Sequence, residues 1–315
     1  MLPRRVSRPG KQTGSAAFVG ASFLLVRVDI CASEVGHTDG VSERTSAASA
    51  VREAPASGTT SEPSPEPSRE RHGLELLAVL GVSLGMSGIY ALLSLVRTEW
   101  TVRGGIGAST TTVVSGTQTT YPWLDLLDDL ANLLHGVAPP LLALVLLARS
   151  PGGRGFGVGF ELRRFRIEAL QGIGFLALIG IPGLGLVYAA HRAGVNASLD
   201  VVNFPDVWYR VPYLLGSAFQ NGLSEEIIVI AFMLTRLRQL GWTRERAVVV
   251  AAILRGSYHL YQGLGGFAGN FAMGLIFGWW YQRTGRVLPL VVAHFLLDAF
   301  SFVGYVYLAP HVSWL

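Results

Sequence analysis

The chain has 315 residues, half of them hydrophobic and only 15% charged, with a mean hydropathy of +0.42. A soluble domain usually carries about a quarter charged residues, so these figures argue against a cytosolic enzyme, a disordered chain and a collagen-like fibre. A single cysteine, Cys31, excludes a disulfide framework and a cysteine-built zinc site. The net charge of +4 rests on arginine, with Lys11 the only lysine. It does not describe a lysine-rich nucleic-acid surface, and no nucleic-acid partner is expected.

Residues 1–72 differ from the rest. They mix basic and acidic residues, and Ser57–Arg71 is rich in Ser, Pro and Glu. Such a stretch cannot bury enough apolar surface to offset chain entropy, which predicts a disordered N-terminal tail. Its one apolar patch, Ala16–Val26, follows Arg4, Arg5, Arg8 and Lys11 in the manner of a signal peptide, but Arg27 and Asp29 interrupt it and no small-x-small cleavage site follows.

From Leu74 the pattern changes to long apolar runs. A bilayer core about 30 Å thick needs about 20 apolar helical residues. Leu74–Val96, Leu124–Ala148, Ala169–Ala190, Val207–Leu237, Ala247–Gln262, Phe267–Tyr281 and Val287–Leu308 are the expected spans. The expected fold is therefore all-α, a polytopic transmembrane bundle of about seven spans. Pro139–Pro140 predicts a kink in the second. Gly81/Gly85 and Gly274/Gly278 form GxxxG pairs suited to close helix packing.

Arginine placement predicts orientation. Arg149, Arg154, Arg163, Arg164 and Arg166 follow the second span. Arg236, Arg238, Arg244 and Arg246 follow the fourth, and Arg283 and Arg286 the sixth. The intervening loops are poor in arginine. The positive-inside rule then places the rich loops and the N-terminus in the cytoplasm, and the Thr-rich loop Thr101–Tyr121 and the C-terminus outside. The expectation is a multi-pass protein of the cell membrane.

Ionisable groups inside spans are costly and mark a functional site by default. Glu225 and Glu226 lie side by side in the fourth span, Arg255 and His259 in the fifth, and His294 and Asp298 in the seventh. Each of the last two pairs is spaced i, i+4, which puts it on one helical face. At 1.5 Å of rise per residue, all fall roughly 10–18 Å from the cytoplasmic surface, so one buried polar site is predicted. Two adjacent carboxylates in low dielectric cannot both carry charge easily, which suits one to general-base work on water. Two imidazoles can donate to a developing oxyanion, Asp298 can orient His294 or the water, and Arg255 can balance carboxylate charge. That toolkit suits amide hydrolysis within a membrane. HExxH does not occur.

Glu225–Glu226, His259 and His294xxxAsp298, in successive spans, resemble the CPBP (Abi) family of intramembrane proteases, which includes the CAAX prenyl endopeptidases. The resemblance covers roughly Val207–Leu308, so 207–315 is the expected catalytic region and 73–206 supplies N-terminal transmembrane helices. It implies Glu225 as general base, Glu226 as an assisting group, His259 and His294 as oxyanion stabilisers, and Asp298 at the Asn/Asp position. It also implies a membrane-embedded or lipid-modified peptide as substrate. Family members are often labelled metalloproteases, which leaves two readings open. One is a glutamate-activated water with no cofactor. The other is a divalent metal such as zinc, with Glu225, His259 and His294 as candidate ligands.

Two departures stand out. The pattern EExxxR places arginine where this chain has Ile230, and FxxxH places an aromatic where it has Arg255. An arginine at this depth needs a carboxylate partner, so Arg255 is predicted to supply from the fifth span the charge missing from the fourth. Ile230 also leaves room for a catalytically inactive scaffold or immunity-type protein of the same fold. His259 and His294 would also serve as axial ligands of a b-type haem. Asp128, Asn132 and His135 share a face of the second span, predicted to lie near the outer interface, where an acidic helix N-terminus is favourable. Asn270 is expected to hydrogen-bond locally, and Trp279, Trp280 and Tyr281 to form an interfacial belt.

Overall fold

The computed structural model describes residues 69–119, 121–150 and 162–311. Most of the expected tail, with its apolar patch and Cys31, lies outside these residues. The tail's last four residues do not. Arg69 opens helix α1 (Arg69–Gly81), and His72 is buried within it.

The first expected span is a bent pair. α1 and α2 (Leu84–Thr101) meet at 50°. Gly81 has nothing near its Cβ direction, and Gly85 faces the carbonyl of Leu80. This GxxxG therefore marks the bend, where Ser83 Oγ also donates to the Val79 carbonyl at 2.5 Å, rather than a helix contact. The other GxxxG does pack helices. A Cβ on Gly274 would lie 2.9 Å from Ala252 Cα, and one on Gly278 would lie 3.0 Å from Val248. These glycines of α8 (Leu264–Thr284) let it close on α7 (Arg244–Ser257).

The Thr-rich segment holds strand β1 (Thr110–Ser115), which pairs in parallel with β2 (Ser198–Asn203), Thr110 opposite Ser198. The all-α expectation thus omits a two-stranded sheet. Its β-branched run Thr110–Val114 suits the pleat, and a parallel pair needs a long crossover. Here the crossover is α3 (Pro122–Ala148) and α4 (Phe165–Arg192). The first two turns of α3 secure the strand-to-helix loop. Asp125 accepts from the Thr119 backbone N–H and Asp129 from that of Thr117, each at 3.1 Å, and Asp128 accepts from the Thr117 hydroxyl. Asn132 and His135 are exposed on the same helix.

Among the described residues, three helical stretches are long and apolar enough to cross a membrane alone: α3, α4 and 288–311, which contains α9 (Leu288–Leu308). The bent pair counts as a fourth if it is one span. Leu170, Ile173, Leu178, Ile181 and Leu184 of α4 all face outward. An apolar surface of that extent belongs in lipid rather than water, and the chain is an integral membrane protein. The polar groups lie on the elements between. One continuous helix runs from Arg210 to Gln239 as α5 (Arg210–Glu225), a π-helical segment Glu226–Met233 and α6 (Leu234–Gln239). All eight π-segment residues are buried, and seven of them, Ile227–Met233, belong to the larger apolar cluster. The smaller cluster joins Val202, Phe204, Leu214 and Phe302 beneath the sheet.

Two arginines expected to mark cytoplasmic loops are tied into the bundle instead. Arg236 is buried and pairs with Glu75 at 2.6 Å, and it donates to Leu146 O and Ser150 Oγ at the end of α3. Arg286 pairs with the buried Glu168 at the start of α4. Both link helix ends, where carbonyls and charges need partners.

The close α7–α8 approach gives a direct test. Gly274→Leu forces a side chain onto the backbone of Ala252, an overpacking cost of about 1–3 kcal/mol, so thermal unfolding in detergent shifts downward. Gly185→Leu, on α4 with nothing within 4 Å of its Cβ direction, leaves the midpoint unchanged or raised.

Candidate active site

The site begins where the long helix changes pitch. Adjacent residues on an ideal α-helix diverge by about 100°. Glu225 closes α5 and Glu226 opens the π segment, and such wider turns re-aim side chains and often occur at functional sites. Both glutamates reach one guanidinium. Ser224, next to them, donates to the Gly136 carbonyl at 3.0 Å. That carbonyl lost its helical partner because Pro140, four residues on, has no N–H. The proline in α3 thus creates an acceptor that anchors the glutamate-bearing helix beside it.

Arg255, on α7, is fully buried. Its Nη2 lies 2.6 Å from Glu226 Oε1, 3.3 Å from Glu225 Oε2 and 3.0 Å from His294 Nδ1. Its guanidinium carbon stands 5.4 Å from the Phe277 ring centroid, a cation–π placement. Ile230 is fully buried in the apolar cluster.

Each glutamate has a distinct setting. Glu226 is wholly buried and accepts at Oε1 from Arg255, with His294 Nδ1 at 2.8 Å. Glu225 has its Oε2 occupied by the Tyr258 hydroxyl, which donates at 2.7 Å, and by Arg255. Its Oε1 faces His259 Nε2 at 3.8 Å. One oxygen is therefore held and the other turned toward a histidine.

His259 departs from expectation. α7 ends at Ser257, and His259 lies in the following turn, just before a short 3₁₀ stretch Leu260–Gln262. It does not share a helical face with Arg255. Its Nδ1 lies 3.4 Å from Gln262 Nε2. His294 and Asp298 do share a face of α9, with Nε2 and Oδ2 3.7 Å apart. Asn221 of α5 donates to the same Asp298 oxygen at 3.4 Å. Glu225, Glu226, Arg255, His259, His294 and Asp298 thus form one connected group drawn from three helices and a turn.

Tyr258 and Asn221 join this group without having been singled out from the sequence. Asn221 stands four residues before Glu225, so helical spacing alone could have found it. Tyr258 lies beyond the helix end, where no periodic signal reaches. Asn270 donates to the Gly266 carbonyl one turn back. Trp279 stacks under Arg283 at 4.3 Å and Trp280 packs on Phe175.

Among the described residues, no three His, Cys, Asp or Glu side chains converge as ligands of a metal ion do. Of the expected metal ligands, His294 turns both nitrogens to carboxylates, Glu226 and Asp298. The position between Glu225, Glu226 and His294 is filled by the Arg255 nitrogen. The donor set does not fit a metal centre.

The Arg255–Glu226 contact is testable by a double-mutant cycle. Contacting charged residues couple by about 0.5–3 kcal/mol. Arg255→Ala and Glu226→Gln in the purified protein should each destabilise it, with the double variant recovering at least about 1 kcal/mol relative to their sum. Strict additivity would show that the contact carries no energy.

No curated protein and no solved structure matches the chain. Residues 207–300, which hold all six members of the connected group, match the model of the family described as Rce1-like, type II CAAX prenyl endopeptidase Rce1-like, and the match supports the chain's membership of the CPBP family.

Proposed function

We propose that this protein is an intramembrane endopeptidase that hydrolyses a peptide bond in a membrane-associated or lipid-modified protein. The observation that carries the proposal is the asymmetry of Glu225. A general base must keep one oxygen free for the proton it takes while the carboxylate is held still. Tyr258 and Arg255 hold Oε2, and Oε1 faces the histidine side. A water bound at Oε1 loses a proton to Glu225 as its oxygen attacks the scissile carbonyl carbon. His259 Nε2 and His294 Nε2 are the nitrogens able to donate to the oxyanion that forms. The proton on Glu225 then passes to the leaving amine nitrogen as the C–N bond breaks. Glu226 holds His294 through Nδ1, and Asp298, steadied by Asn221, lies beside its Nε2.

Ile230 is the one feature that favours an inactive scaffold of the same fold. The position of Arg255 supports activity over that alternative, because a guanidinium from α7 stands against both glutamates. On this reading Arg255 takes the place of the motif arginine. No cofactor enters the proposed step. By the positive-inside rule, the arginine-rich ends of α3, α6 and α8 support a cytoplasmic side for those ends and for the N-terminus. Substrate then reaches the site laterally or from that side.

Two variants test the reading on a farnesylated CaaX reporter peptide in proteoliposomes. Glu225→Gln is expected to lower kcat by about 10²–10⁴-fold, the range of general-base catalysis, with the protein still folded. An unchanged rate would sink the proposal. Tyr258→Phe leaves the held oxygen to Arg255 alone and removes one hydrogen bond to a charged group, worth about 1.5–3 kcal/mol. Its kcat falls by at least about tenfold while KM stays near that of the unaltered enzyme.

A further inference from the structure

The turn that carries His259 is held by a segment far away in sequence. α8 begins at Leu264, and its first backbone N–H groups have no partner within the helix. Its N-cap residue is Gly263, which has no side chain to cap it. The partners come from the segment after α4. Leu264 N donates to Val195 O at 3.1 Å, and Gly265 N donates to the Asn196 side-chain oxygen at 2.8 Å. Ala197 N returns a bond to Gln262 O at 3.0 Å, so that Asn196 and Gly263 form an isolated antiparallel bridge. Asn196 therefore caps α8 from 67 residues before its N-cap residue.

Three features show that this clasp is built to close tolerances. Asn196 is 2% exposed, so its amide is committed to the turn rather than to solvent. Gly263 has φ +114°, a conformation L side chains rarely adopt, and its Cβ direction points at Val195 and Asn196. A Cβ on Gly265 would lie 2.5 Å from Ala190 Cβ and 2.9 Å from Asn196 Oδ1. The clasp is itself anchored, because β2 starts at Ser198, whose N–H donates to Ser109 O. On the turn's inner side, Gln262 Nε2 lies 3.4 Å from His259 Nδ1. The opposite nitrogen of that ring faces Glu225.

We infer that Asn196 is a positioning residue for His259. Through the turn Gln262–Gly265 it sets where the imidazole stands relative to Glu225, although it lies outside residues 207–300 and touches none of the reacting groups. The inference rests on the proposed peptidase reading for its catalytic consequence, but not for its structural one.

Full-length protein labelled with ¹⁵N-histidine in lipid nanodiscs separates the two. Ring resonances of His259 and His294 are identified by their loss in His259→Gln and His294→Gln. Asn196→Ala is expected to move the His259 resonances and leave those of His294 in place, and Asn196→Asp, which keeps an acceptor oxygen, restores them. On the farnesylated reporter, kcat per folded molecule falls about ten- to a hundredfold in Asn196→Ala, KM stays within about twofold, and Asn196→Asp recovers most of the loss. A residue that only stabilised the fold would lower the folded fraction and leave kcat per folded molecule unchanged. Asn196→Ser, with a shorter acceptor, makes the same comparison should Asn196→Ala not fold. His259 resonances that do not move, or an unchanged kcat per folded molecule where the unaltered protein cleaves, overturn the inference. If the unaltered protein does not cleave the reporter, the peptidase reading fails while the resonances still decide the role of Asn196.

Discussion

A single buried guanidinium organises the centre of this protein. Arg255 has no access to solvent, and an arginine so placed is tolerated only against carboxylates that share its desolvation. It meets two, Glu226 at 2.6 Å and Glu225 at 3.3 Å, while His294 bridges from a third helix. The cost of burying each charge is offset only if all are present together, so the helices that carry them are held in one arrangement. Removing any partner leaves another charge exposed to a low-dielectric interior.

That arrangement sits at a change of helical pitch. Glu225 ends the α-helical part and Glu226 begins the π segment, and both reach Arg255. The apolar residues Ile227–Met233 of the wider turns are buried in the larger cluster. The bond from Ser224 to the carbonyl freed by Pro140 fixes the end of α5 against α3 just before this change of pitch. A local weakness in one helix is thereby used to place the other.

The sequence disclosed the chemistry of the site better than its geometry. Ionisable residues are so scarce in apolar runs that Glu225, Glu226, Arg255, His259, His294 and Asp298 could be picked out by position alone. His294 and Asp298 keep the i, i+4 relation that spacing implied. His259 does not, because α7 stops at Ser257 and the chain turns. Hydropathy cannot register a helix end inside an apolar run. It likewise missed the 50° break at Gly81–Ser83, and it assigned Arg236 to a loop when that residue is buried against Glu75. Strand β1 was hidden for a different reason. Its Thr-rich sequence is polar, and its partner lies two helices away in the chain, a pairing no local window contains. Tyr258 and Asn196 belong to this class too, since each acts through a contact set by the tertiary fold.

The departure at Ile230 involves more than two positions. Arg255 enters the site along α7, and its stem passes α8 at Gly274, where a Cβ would lie 3.3 Å from Arg255 Cδ. A larger residue at 274 would press on both the α7 backbone and that stem. The aromatic absent from position 255 has a counterpart in Phe277, whose ring stands by the guanidinium from the facing helix. Ile230 meanwhile fills the apolar cluster that the π segment shares with α8 and α9, including Phe277 and Leu290. Placing the arginine at 230 instead of 255 would then need more than an exchange of side chains. The cluster would lose a buried isoleucine, a guanidinium would need room inside it, and the space at Gly274 would stand empty. Charge at the glutamates is thus coupled to helix packing, since the Arg255 stem that carries the guanidinium to them runs against α8 at Gly274.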